Sequence, residues 1–219
     1  MLEQDIAASN IALDLIGQSR NFYQYAALLK GEGSTEDTLA YLREPNEFRN
    51  LLITELSNGD WAHTVARVFL FSTYQYYLFQ QLASLADEQL AAIAEKSIKE
   101  VTYHVKWSSE WVIRLGDGTK ESHQRTEKAI NELWDYTTEM FTLSGFEAEL
   151  LNDNISVNVC EIQIKWNEKV KDIFAEATLS LPAHQQHHSG GKEGKHSEAL
   201  VSLLSVMQEL QRSYPGCEW

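Results

Sequence analysis

Proline is scarce in this chain. Only Pro45, Pro182 and Pro215 occur in 219 residues, and the glycines sit mostly at the ends of patterned segments. Long stretches free of both residues favour helix. Cysteine is scarcer still: Cys160 and Cys217 are too few for a disulfide framework, and neither has a metal-type neighbour. Positive charge is short as well. Lys and Arg number 18 against 32 Asp and Glu, for a net charge of −14. That balance argues against nonspecific binding to nucleic acid, which needs concentrated positive charge. The most apolar run, Val68 to Phe71, is far short of the ~20 residues that span a bilayer. Met1-Leu2-Glu3-Gln4-Asp5 lacks the basic and apolar parts of a signal peptide. The expectation is a cytoplasmic protein with no membrane partner.

What is present is helical periodicity. Ile6, Ile11, Leu13, Ile16, Phe22, Tyr25 and Leu28 give Glu3 to Lys30 a broad apolar face, and Gly31-Glu32-Gly33 stops it. Ser34 to Asp37 carries a capping signal for a short helix that ends before Pro45. Asp60 opens a second long helix, Trp61 to Ala86, with aromatic residues around much of its circumference. After the short break at Asp87-Glu88, a third helix runs to Leu115, and so short a break makes the two antiparallel neighbours. A fourth is expected from Glu121 to Phe141. Phe146 to Val159 is less regular: Asn152-Asp153-Asn154 marks a loop, and Ile155 to Val159 alternates too briefly to prove a strand. Further helices are expected over Asn158 to Leu179 and Ser197 to Arg212, with a loop from Ser180 to Lys195 between them. The length suits one domain with a sizeable core.

The sharpest chemical signal is Ile98 to Trp107, IKEVTYHVKW. Di-iron carboxylate bundles present a Glu-x-x-His pair from each of two helices and single carboxylates from the other two. His104 stands where the His of such a pair would be, but Val101 occupies the Glu position and offers no lone pair. Glu100 and His104 are spaced i, i+4, and the residues favour a buried His bonded to a carboxylate over a residual metal or proton-transfer site. His184, His187, His188 and His196 cluster in the late loop, which reads as solvated and suited to adventitious metal binding. Gly190 to Lys195, GGKEGK, has amides and lysines that could cradle a phosphate, but it lacks the Walker pattern and reads as a flexible turn. No Gly-x-Ser-x-Gly elbow occurs, and neither cysteine lies near an evident base. Asp117, Glu121, Glu127, Glu132, Asp135 and Glu139 read as a solvated helix face.

Several stretches together resemble one family. They are NIALDLIGQSRNF at Asn10 to Phe22, EDTLA at Glu36 to Ala40, Asn50-Leu51-Leu52 with Asn58-Gly59, and Ile98-Lys99-Glu100 with Tyr103-His104. The ending, Gly190-Gly191-Lys192 through Pro215-Gly216 and Trp219, belongs to the same pattern. The chain resembles the structural-subunit family of the bacterial phenylacetyl-CoA epoxidases over nearly its whole length. The resemblance implies an all-α, ferritin-like bundle with additional C-terminal helices. It also implies one domain over residues 1–219, and a family segment that precedes the first residue here.

Set beside the pattern of the family's di-iron sister subunit, the first Glu-x-x-His falls on Ile16 to Ser19, the second on Val101 to His104, and a single carboxylate near Ser72. The resemblance thus implies degenerate di-iron positions at Ile16, Ser19, Ser72, Val101 and His104, with only His104 keeping a ligand-type side chain. It implies no catalytic, cofactor or metal site in this chain. The iron is expected in the catalytic partner subunit, with self-association alongside. The rivals are a di-metal oxidase or oxygenase using Asp14, Glu100, His104 and Glu139, and a homodimeric scaffold with no oxygenase link.

Overall fold

The computed structural model describes residues 2–152, 157–183, 186–215 and 217. Its elements in order are α1 (Leu2–Lys30), α2 (Glu36–Tyr41), α3 (Trp61–Leu82), α4 (Glu88–Gly116), α5 (Lys120–Trp134), α6 (Gly145–Asn152), α7 (Val159–Glu176), α8 (Glu198–Met207) and α9 (Glu209–Ser213). Single 3₁₀ turns lie at Pro45–Glu47, Leu52–Thr54, Thr138–Phe141 and Gly191–Glu193. Among the described residues every regular element is helical, and the architecture is all-α and ferritin-like. No helix among them is long and apolar enough to cross a membrane.

Local chemistry sets the helix ends. Gly31, Glu32 and Gly33 all have positive φ, and glycine carries no Cβ penalty in that region. Thr35, Asp60, Asp87 and Asn158 each accept an N–H from the first turn of the helix that follows, which satisfies one of its orphan donors.

α3 and α4 form the central pair. Trp61, at the start of α3, meets Trp107 and Trp111 near the end of α4, both edge-on at 5.8 and 5.7 Å. At the other end Phe79 clusters with Ala94 and Val101. The pair is therefore antiparallel. α1 lies along α4, while α5 and α7 cover both members of the pair. The main core gathers Phe69, Leu70, Ile130, Leu133, Trp166 and Phe174, all but solvent-free. The indole N–H of buried Trp166 donates to the Leu70 carbonyl at 2.9 Å, so its one polar atom is satisfied in the interior.

Three expectations change. The fourth helix stops at Trp134, and the chain reaches Phe141 through a turn and a 3₁₀ segment. Gly145–Asn152 is a helix where the sequence read as irregular. The late loop is neither solvated nor a free turn, since Gly191 and Lys192 are buried. Asp153, Asn154, the first two residues of the Ile155–Val159 alternation, His184, Gly216 and Trp219 lie outside the described residues.

Candidate functional site

The residues the sequence singled out meet along the seam between α1 and α4. On α4 the i, i+4 spacing sets Glu100 and His104 one above the other, and on α1 it does the same for Asp14 and Gln18. The helices are antiparallel, so the pairs interlock. His104 Nε2 donates to Asp14 Oδ2 at 3.0 Å, and Gln18 Nε2 donates to Glu100 Oε2 at 2.8 Å. Further along the seam the Tyr25 hydroxyl donates to Asp87. His104 and Gln18 are buried, whereas the Asp14 side chain is one-third exposed. Water at the seam edge thus offsets part of the cost of holding that carboxylate.

The five positions expected to be degenerate ligand sites do not all face one another. Val101 is fully buried and packs in the cluster of Phe79 and Ala94. Ser72 is buried on α3, and its hydroxyl has no hydrogen-bond partner. Ile16 and Ser19, in contrast, are exposed and line a groove between α1 and α8. The physical reason is the helical period. Ala7, Ile11 and Gln18 are the buried residues of this stretch, and position 16 lies ~200° around the helix from position 18. The α1 residue that faces α4 at this level is Gln18, one position from the expected Ser19.

The donor set does not fit a di-iron centre. Such a centre needs several carboxylates to balance charge and fix geometry. Here Val101 and Ser72 offer none, Ile16 and Ser19 face outward, and the Nε2 of His104 is engaged by Asp14. Among the described residues no three His, Cys, Asp or Glu side chains are grouped to hold a metal ion. Both cysteines are free and exposed.

Glu139 is a correction. It is 2 % exposed and belongs to no solvated face. Its carboxylate accepts the N–H groups of Gly190 and Gly191 on Oε1, at 2.8 and 2.7 Å, and that of Leu52 on Oε2, at 2.7 Å. The glycine loop, read from the sequence as a flexible turn, is instead an anion cradle, and the anion is the protein's own side chain. Gly191 has no alternative here, because a Cβ on it would stand 2.2 Å from the Asn50 carbonyl oxygen. Ending α5 at Trp134 is what frees Glu139 to reach this loop.

A second buried carboxylate ties the same segments together. Glu55 accepts from His196 Nδ1 at 2.6 Å and from the Ser197 N–H and hydroxyl, both at 2.8 Å. His196 Nε2 faces the Phe48 carbonyl at 3.0 Å. Lys192 donates to Glu147 at 3.1 Å. Burial raises the Glu147 pKa, but the Ser144 N–H and hydroxyl together with the Lys192 ammonium outweigh it and hold the carboxyl below its ordinary range. The late histidines disperse. His187 bonds Thr138, His188 stacks on Tyr136 with ring centroids 4.6 Å apart, and His196 sits on Glu55. They form no metal cluster among the described residues.

A third cluster, not singled out by the sequence, joins α3 to α5. His63 Nδ1 lies 2.7 Å from Asp60, and its Nε2 lies 2.8 Å from Glu132. Their i, i+3 relation at a helix start was the only sequence signal for Asp60 and His63. Nothing local pointed to Glu132, 69 residues away from His63.

Comparison with known proteins gives the family of this helical fold. One curated relative is a component of the 1,2-phenylacetyl-CoA epoxidase of Escherichia coli (strain K12), the subunit lettered C. It is 44% identical over 218 residues, a match that covers all of this chain and 88% of the relative. A family model described as Phenylacetic acid catabolic protein matches residues 1–219. With the whole chain matched and identity at this level, the chain belongs to the Phenylacetic acid catabolic protein family.

Proposed function

We propose that this chain is a non-catalytic, structural subunit of a multicomponent di-iron monooxygenase that epoxidises the ring of phenylacetyl-CoA. The relative's identity as one subunit of a 1,2-phenylacetyl-CoA epoxidase supports the assignment to that reaction. The observation that carries the non-catalytic reading is Val101. It is a solvent-free valine three residues before His104, where the resemblance puts the Glu of a Glu-x-x-His pair. An apolar side chain there avoids a buried charge that no metal would balance. The iron, and the oxygen chemistry it supplies, belong on this reading to a sister subunit of similar fold. This chain supports that subunit's shape as a single cytoplasmic domain.

The enzyme alternative asks Asp14, Glu100, His104 and Glu139 to share metal. Glu139 is committed to the backbone of the late loop, far in sequence from the seam and bonded to none of its residues. The test is elemental analysis of the tag-free chain, alone and with the catalytic partner. The expected result is no stoichiometric iron alone and iron only in the complex. Stoichiometric iron in the isolated chain overturns the proposal.

A further inference from the structure

One groove takes no part in the seam or in the late loop. It lies between α3, α4 and α7 and holds about 500 Å³, inside the size range of small-molecule sites. No α1 residue lines it. It uses the face of α4 that carries Lys106 and Ser109, and position 106 lies ~200° around the helix from His104, which faces α1. Ser109 marks the groove as a site. It is 6 % exposed, and its hydroxyl has no hydrogen-bond partner. Other buried hydroxyls on these helices are satisfied locally: Thr73 donates to the Phe69 carbonyl and Ser97 to that of Ile93, at 2.7 and 2.8 Å. An orphaned buried hydroxyl calls for a partner from outside the chain, and this one borders a cavity.

Charge and shape name the ligand class. Lys106 on α4 and Lys169 on α7 both line the groove, and among the described residues neither is held in an ion pair. Glu110 is the one carboxylate among the described lining residues. Two lysines against one glutamate balance a single negative charge. Val105 and Ile173 supply apolar wall, and Tyr76 meets Tyr77 edge-on with ring centroids 5.2 Å apart. A further ring gains by packing edge-on or offset against such a pair. We infer that the groove binds an aromatic monocarboxylate, its ring against the tyrosines and the apolar wall, its carboxylate between Lys106 and Lys169, with Ser109 completing the anion's hydrogen bonds.

The same features reject other anions. Inorganic phosphate has no apolar body to set against Val105 and Ile173, and a second negative charge would face Glu110 and a chain of net charge −14. The inference goes beyond the epoxidase reading and stands without it, because the lining selects the ligand.

The experiment is calorimetric titration of the full chain with phenylacetate, with phenylacetamide and inorganic phosphate as controls and circular dichroism as the check on folding. The expected result is saturable one-to-one binding with a Kd below ~1 mM, roughly tenfold weaker binding of the uncharged amide, and none of phosphate. Lys106→Met/Lys169→Met is expected to weaken binding about tenfold without loss of helicity. Ser109→Ala is expected to weaken it several-fold and to leave the unfolding midpoint unchanged or raised, since the free protein loses no bond. A serine with a purely structural role would lower the midpoint and leave binding alone, which overturns the inference. Absence of saturable binding overturns it, as do an amide that binds equally and lysine variants that bind as the parent does. Displacement by phosphate reduces the groove to an unselective anion patch and overturns it too. So does protection of the groove from deuterium exchange by the catalytic partner, which gives the seat to that subunit and leaves the proposed function standing.

Discussion

His104 donates to Asp14 across 3.0 Å, a bond that engages its Nε2. Beside it stands Val101, without exposure and without a donor atom. The polar groups of the seam are paired with one another, Asp14 with His104 and Gln18 with Glu100.

Val101→Glu is therefore expected to bind no stoichiometric iron, because the α1 and α3 positions still supply no ligands. It should also lower stability by roughly 3 kcal/mol, the cost of placing a carboxyl in an apolar pocket. Elemental analysis and urea unfolding of the one variant check both halves.

Asp14→Asn and Gln18→Leu, made singly and together, would apportion the seam. Each is expected to cost about 1 kcal/mol, the net value of one such hydrogen bond. Coupling between them should be positive, since the two pairs share adjacent turns of α1 and α4. A double-mutant cycle by chemical denaturation reads it directly.

Glu139→Ala removes the acceptor for three backbone N–H groups and should cost roughly 3 kcal/mol or more. Glu139→Gln keeps one acceptor oxygen and should cost less. Hydrogen exchange at Gly190 and Gly191 would report the change locally: their amides should be protected in the parent and lose protection in the alanine variant.

His63 gives a pH dependence with a definite sign. Burial lowers its pKa, but the bonds to Asp60 and Glu132 and their charges outweigh that and leave it raised. The stabilisation from this cluster is thus fully present below the ordinary histidine value of about 6.5 and is lost as pH rises through the raised one. His63→Gln should remove that portion of the pH dependence, which lies above the ordinary histidine value. Thermal unfolding of both proteins over a pH series is the measurement.

The long helices were legible because their apolar periods, caps and glycine stops are local. Asp60 and the Gly31-Glu32-Gly33 turn stand where the sequence put them. The antiparallel pairing of α3 and α4 followed from the short connection alone. The face of α1 was not legible in the same way. α1 carries apolar residues on two sides, so periodicity allowed Ile16 as readily as Gln18 to face α4, and only packing separates them. Glu139 was misread for a related reason. Its neighbours Glu132 and Asp135 are polar and helical in pattern, and its partners Leu52, Gly190 and Gly191 are distant in sequence.

By itself, then, the sequence determined the helical class, the helix boundaries that depend on caps and breakers, the family resemblance, and a valine rather than a carboxylate at position 101. Each of these depends on residue identity or on spacing within a few turns. Tertiary structure alone decided that His104 belongs to Asp14, that the glycine loop closes on Glu139, and that Glu55 holds His196. Those are contacts between segments tens of residues apart or more, and a buried polar group takes whichever partner the fold brings within reach.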